Sequence, residues 1–181
     1  RDRTHNLGAH VIDQAVQLFG MPEAVFADIA TLRTGGKVDD YFIIHLMKPA
    51  RMPEVKITLK ASYLMCENEP RFVLHGTEGS YVKYGLDPQE ADLTKGMLPD
   101  TPHWGEEDES QWGILHTETD GNVVRKPYPT LPGNYAAFYE NIYQHIRNGA
   151  VLQSDACGVL GVIRLIEAAW ESSRTGNVIK L

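Results

Sequence analysis

The chain has 181 residues, enough for a proper core, and is 43% hydrophobic and 23% charged, the make-up of a globular rather than a disordered protein. Lys and Arg number 17 against 24 Asp and Glu, so the formal charge is −7, which argues against a nucleic-acid partner. No apolar run approaches the ~20 residues that span a bilayer, and Arg1-Asp2-Arg3-Thr4-His5 does not open a secretory signal. A motif begins almost at once and no Met precedes it, so a piece of a longer protein is expected. Cys66 and Cys157 are too few and too far apart for a disulfide framework or a zinc site. Buried thiols in a reducing, cytoplasmic compartment are expected instead.

Val11, Ile12, Ala15, Val16 and Phe19 recur at helical spacing, which predicts a helix over residues 8–19 with Asn6 as N-cap and Gly20 as stop. Strands are expected over residues 24–33, 40–48 and 55–64. In the last of these Val55, Ile57 and Leu59 alternate with Lys56, Thr58 and Lys60, the pattern of a half-buried strand. Short strands follow over 71–75 and 80–85, then a short helix over 87–96 and an acidic loop over 99–111. Asp120-Gly121 predicts a hairpin turn between strands 114–119 and 122–126. Helices over 134–148 and 154–174 and an edge strand over 178–181 close the chain. Tyr135, Tyr139, Tyr143 and Trp170 read as packing residues.

Consecutive strands joined by short turns pair antiparallel, because parallel pairing needs a long crossover. The expected fold is therefore α+β: a single domain over residues 1–181, with a large, open, mostly antiparallel sheet and helices packed on one face. No Gly-x-Gly-x-x-Gly occurs, so no dinucleotide fingerprint can be assigned, and the seven histidines show no metal-ligand spacing, so no metal is expected.

The chemistry concentrates in Asn6-Leu7-Gly8-Ala9-His10-Val11-Ile12-Asp13. On an α-helix Asn6, His10 and Asp13 fall near one face. An imidazole there, flanked by Gly8 and Ala9, is open to a ligand and can exchange a proton near neutral pH. A lone helical His serves equally well as a packing or capping group. Asp13 could orient His10 or a substrate hydroxyl, or stabilise the first helical turn through the macrodipole. Tyr84, with Lys83 and Asp87, follows a strand where ligand contacts are common, or else forms solvated surface. Trp104 on the acidic loop could close over a sugar ring, or pack against the sheet.

Gly8-Ala9-His10-Val11-Ile12-Asp13 followed by Leu18-Phe19-Gly20-Met21-Pro22 resembles the pattern that opens the C-terminal domain of the Gfo/Idh/MocA oxidoreductases. The likeness continues through Asp39-Asp40-Tyr41-Phe42, through His75-Gly76-Thr77-Glu78-Gly79-Ser80-Tyr81, and through the closing run from Ile163 to Gly176, so it covers nearly the whole chain. The stretch from Phe72 to Glu90 resembles the NADP-dependent scyllo-inositol dehydrogenase branch. The resemblance implies a fold like the C-terminal domains of dihydrodipicolinate reductase and glyceraldehyde-3-phosphate dehydrogenase. It also implies a preceding Rossmann domain, outside this chain, that binds NAD or NADP. The family's Asp-x-x-x-His pair falls on Asn6 and His10. His10 matches, but an amide at Asn6 can orient a hydroxyl and cannot take its proton. The resemblance thus implies His10 and Asn6 as catalytic residues, with Asp13, Tyr84 and Trp104 as candidates for substrate binding.

The implied function is the substrate-side half of an NAD(P)-dependent oxidoreductase that interconverts a secondary alcohol and a ketone on a sugar or inositol-type polyol. Homodimers or homotetramers through the sheet face are implied with it, and neither a nucleic acid nor a membrane is an expected partner. The alternative is a non-catalytic sugar-binding or oligomerisation module.

Overall fold

The computed structural model describes residues 4–181, apart from the side chains of His5, Asn6 and Thr119. The chain forms two compact units. The first runs to Cys66 and resumes over Ser154–Leu181, and the second is Glu67–Gln153.

The first unit opens with a π-helical turn, Thr4–Gly8, that leads directly into α1, Ala9–Phe19. Strands β1 (Pro22–Ala30), β2 (Tyr41–Pro49) and β3 (Ile57–Ser62) follow as an antiparallel meander. Helix α4 (Ala156–Thr175) and the short β8 (Ile179–Lys180) complete the unit, in the sheet order β3-β2-β1-β8. Alternation along the strands sends Val25, Ala27, Ile29, Phe42, Ile44, Leu46 and Ile57 to one face, where all are buried. Ile12 and Ala15 of α1 meet them there, as do Val162, Leu165, Ile166 and Ala169 of α4 at helical spacing. Trp170 packs against this core, as its sequence context implies.

Strand β1 ends at Ala30, short of the expected Arg33, for an electrostatic reason. The buried Asp40 carboxylate accepts from Leu32 N at 2.7 Å and Arg33 N at 3.1 Å, so those amides turn away from the ladder. Beyond Val25, β1 also outruns its short neighbour β8. The amides left on that edge are taken up by a Ser-Ser pair on α4. Ala27 N donates to Ser172 Oγ at 3.0 Å and Ile29 N to Ser173 Oγ at 2.9 Å. Ser172 is fully buried and in turn donates to Asn177 O at 2.6 Å. A buried amide left without its partner costs about 1–3 kcal/mol. Ser172→Ala is expected to lower unfolding free energy by that amount in urea denaturation, and Ser173→Ala by less, since Ser173 is only half-buried.

The second unit holds β4 (Phe72–Gly76), β5 (Gly79–Lys83), α2 (Gln89–Thr94), β6 (Gly113–Thr119), β7 (Asn122–Tyr128) and α3 (Ala136–Asn148). Its four strands pair antiparallel in chain order. Asp120 and Gly121 both adopt positive φ, 52° and 75°, the conformation of the tight hairpin turn expected from their sequence. Lys83 Nζ lies 2.6 Å from Glu107 Oε2 and 2.9 Å from Gln111 O, a nearly buried ion pair that ties β5 to the acidic loop.

The α+β class and the antiparallel pairing are as the sequence implies. The strands, however, hydrogen-bond as two four-stranded sheets instead of one. Residues 63–71, between β3 and β4, include Glu67, Asn68, Glu69 and Pro70. Charged side chains and an imino acid without an N–H do not continue a ladder. Helices α1 and α4 cover one face of the first sheet, but α3 contains no buried residue. Tyr135, Tyr139 and Tyr143 are therefore not core residues; their exposures are 44%, 71% and 55%. The two cysteines are likewise exposed, not buried, and both are free thiols. Cys66 lies just after β3 and Cys157 in the first turn of α4, both outside the faces that pack.

Candidate functional site

Helical winding is already present at Thr4, the first described residue and four positions before the start that the apolar spacing implies. Thr4 is fully buried although polar, because both its hydrogens find one acceptor. Thr4 N and Thr4 Oγ1 donate to Asp39 Oδ2 at 2.6 and 2.5 Å. Gly8 lies over the Phe42 ring, where an added Cβ would come 3.4 Å from Thr4 Cγ2 and 3.8 Å from Phe42 Cε1. One side of the helix start is thus held against β2 and the residues before it.

His10 and Asp13 are exposed on α1, while Ile12 and Ala15 between and beyond them point into the core. The helix packs by its apolar stripe and presents its imidazole outward. Among the described residues neither His10 nor Asp13 makes a hydrogen bond or ion pair, so Asp13 does not orient His10 in this structure. The side chain of Asn6, read above both as the N-cap and as the partner of His10, lies outside the described residues. Its backbone belongs to the π-helical turn, which holds more residues per turn than an α-helix. The angular offset between Asn6 and His10 is therefore not that of an α-helical i, i+4 pair.

Tyr84 and Trp104 belong to the second unit. Tyr84 follows β5 and is 52% exposed. Trp104 is not a free loop aromatic, because its Nε1 donates to Gln89 Oε1 at 2.8 Å. Gln89 is the hub of a polar cluster that sequence reasoning missed. It is fully buried, and its Nε2 lies 3.0 Å from each Asp87 carboxylate oxygen. Its Oε1 also accepts from Tyr135 N at 2.9 Å, and its own N–H donates to Asp87 Oδ1 at 2.8 Å. The amide oxygen accepts twice and the amide nitrogen donates to one carboxylate, so the side chain links α2, the acidic loop and the start of α3. Gly133 is the residue that leaves room for it, since an added Cβ would overlap both Asp87 Oδ2 and Gln89 Nε2. The only local signal was Asp87-Pro88-Gln89, an aspartate that turns the chain into a helix.

Desolvation, then the charges of Asp87 and Glu90, push the Tyr135 phenol above its ordinary range, so it stays a neutral donor. Beside the second sheet, Tyr81, Leu115, Tyr128, Pro129, Thr130 and Leu131 line an open, mostly apolar groove of about 600 Å³. Among the described residues, no group of three His, Cys, Asp or Glu side chains could hold a metal ion. No helix among them is long and apolar enough to cross a membrane.

The described residues do not build a dinucleotide site. Such cofactors sit at the carboxyl ends of parallel strands, with a pyrophosphate at a helix N-terminus after a glycine-rich turn. Here every strand ladder is antiparallel.

Fold and site together define an α+β domain: a helix-covered antiparallel sheet with an outward-facing histidine on its opening helix. Residues 4–181 match the oxidoreductase family C-terminal alpha/beta domain, and the chain belongs to that Gfo/Idh/MocA family. It is 36% identical over 177 residues to scyllo-inositol 2-dehydrogenase (NADP(+)) IolW of Bacillus subtilis (strain 168), covering 98% of this chain and 48% of that protein. A crystal structure from Bacteroides fragilis NCTC 9343 superposes with a TM-score of 0.95 at 60% identity, over 99% of this chain and 53% of that one. A crystal structure of an oxidoreductase from Bacillus cereus gives 0.86 at 33% identity, over 100% of this chain and 52% of that one. The chain spans about half the length of the curated relatives it matches.

Proposed function

We propose that this chain is the substrate-binding and proton-handling half of an NAD(P)-dependent oxidoreductase acting on a secondary alcohol of a sugar or inositol-type polyol. The observation that carries the reading is the exposed imidazole of His10, held at the start of a helix whose neighbouring Ile12 and Ala15 are locked in the core. Likeness to a scyllo-inositol 2-dehydrogenase supports the choice of substrate class. A nicotinamide cofactor, held mainly by a preceding domain, would supply the hydride chemistry. His10 takes the proton from the substrate hydroxyl as the carbonyl forms and returns it in the reverse direction. Asn6 orients that hydroxyl, and Asp13, Tyr84 and Trp104 are the further candidates for substrate contact. Trp104 would act as a fixed wall rather than a moving lid, given its bond to Gln89.

The test is a panel of polyols and sugars with NAD+ and NADP+ on the full-length protein, read by nicotinamide absorbance. Polyol-dependent reduction of either cofactor is expected, and none from the 181-residue chain alone. Saturable polyol binding without turnover in the full-length protein would replace this reading with the non-catalytic binding module.

Assembly is part of the same proposal. The face of the first sheet turned away from the helices carries Phe26, Ile43 and Met47, all partly exposed, with Phe26 stacked on His45 at 6.3 Å between ring centroids. An apolar strip of this kind suits a homodimer or homotetramer formed sheet to sheet. The formal charge of −7 and the two exposed free thiols suit a cytoplasmic protein with neither nucleic-acid nor membrane partners.

A further inference from the structure

We propose that Asp39 and Thr4 are positioning residues that fix where the π-helical turn delivers Asn6 and His10. The inference rests on the reading of His10 as the proton-handling residue.

A carboxylate is costly to bury unless its charge is met by hydrogen bonds. Asp39 is only 3% exposed, and one of its oxygens takes both the amide and the hydroxyl hydrogen of Thr4, a residue 35 positions away. Bonds of this length to an ionised acceptor are of the strong, charge-assisted type. The first amides of a helix have no partner within it, and a negative charge beside them is favoured by the helix dipole. Asp39 supplies both the acceptor and the charge, and it lies in the segment that enters β2. Gly8, at the other end of the same turn, is buried with its Cα hydrogens toward Phe42 of β2, where an added Cβ would come 3.8 Å from the ring. The turn is thus gripped at each end by one strand and its approach.

What lies between the grips is unusual. π-helical turns are rare and are found disproportionately at functional sites. This one spans Thr4–Gly8, contains Asn6 and stops two residues before His10. With Thr4 held by Asp39 and Gly8 buried, a change to α-helical winding would break the Asp39 bonds or move Gly8 from its packed place. The clamp thereby sets the depth and rotation at which His10 leaves the surface. Thr4 and Asp39 are buried and need touch no substrate to do this.

The neighbouring Asp40 provides the control. It too is buried and accepts backbone hydrogens, but from Leu32 and Arg33 at the end of β1. Two measurements test the clamp. In the full-length protein with scyllo-inositol and NADP+, Thr4→Val should lower kcat by roughly tenfold to a hundredfold with little change in KM, while Thr4→Ser restores it. Asp39→Asn should follow Thr4→Val, and Asp40→Asn should lower stability with kcat retained. In the 181-residue chain, Thr4→Val should shift the backbone amide resonances through His10, whereas Asp40→Asn should shift those near Leu32 and Arg33. Shifts that stop short of Gly8, or a kcat for Thr4→Val equal to the parent's in an active enzyme, would overturn the proposal. Should the full-length protein turn over no member of the polyol and sugar panel, the functional reading fails and the resonances alone decide whether Thr4 positions His10.

Discussion

Replacing His10 with Gln in the full-length protein is expected to lower kcat/KM for polyol oxidation by about 10²–10⁴-fold, the range for loss of a positioned general base. Gln retains hydrogen-bonding capacity and helix propensity but cannot carry the proton. The exposed position of His10 on α1 means that folding is little affected, so thermal unfolding of the variant should match the parent's. The loss should fall on kcat, with KM little changed. Equal kcat/KM across pH for parent and variant would remove the proton-handling role, because no other titratable group on α1 except Asp13 faces outward there.

A large effect on stability is expected from Gln89→Leu. Leucine fills similar space but strands the Trp104 indole N–H and the Tyr135 amide, and takes from the Asp87 carboxylate the Nε2 donor it accepts from. Only Gln89 is fully buried, while Trp104 is half-buried and Asp87 and Tyr135 are exposed, so the stranded groups are partly rescued by water and a loss of about 1–3 kcal/mol is expected in urea denaturation. Gln89→Glu keeps the acceptor but sets a second carboxylate against Asp87. Repulsion raises the pKa of such a pair in the folded state, so protonation favours folding. The deficit of Gln89→Glu should therefore shrink as pH falls through the carboxylate range, whereas that of Gln89→Leu should not. A Gln89→Leu protein as stable as the parent would mean that the cluster is solvated.

Much of the fold is legible because it rests on local periodicity. Alternation in Val55–Lys60 corresponds to β3, with Ile57 buried and Thr58 and Lys60 exposed. Helical spacing of Val159, Ile163, Ile166 and Trp170 names two residues that pack, Ile166 and Trp170, and two that are exposed, Val159 and Ile163; Asp120-Gly121 marks its turn because those residues tolerate the positive φ it needs. The family follows from ordered motifs along the chain, and the profile match over residues 4–181 agrees with it.

What periodicity cannot reveal is set by contacts between distant residues. Asp39 holds the first described residue of the opening turn, and nothing in Thr4 itself announces a partner 35 positions away. Gln89 looks like a surface residue of a short helix until Trp104 and Tyr135 bring it their hydrogens. The π-helical turn is likewise a product of tertiary restraint, since local propensity favours α-helical winding. The division into two sheets depends on which strand edges meet, and an antiparallel pattern alone does not state that. The sequence by itself determined the class, the family and the residue at His10, because those depend on side-chain identity and near-neighbour spacing. The tertiary structure alone decided how His10 is presented and that Trp104 is held in place, because buried polar groups are satisfied across the fold and not along the chain.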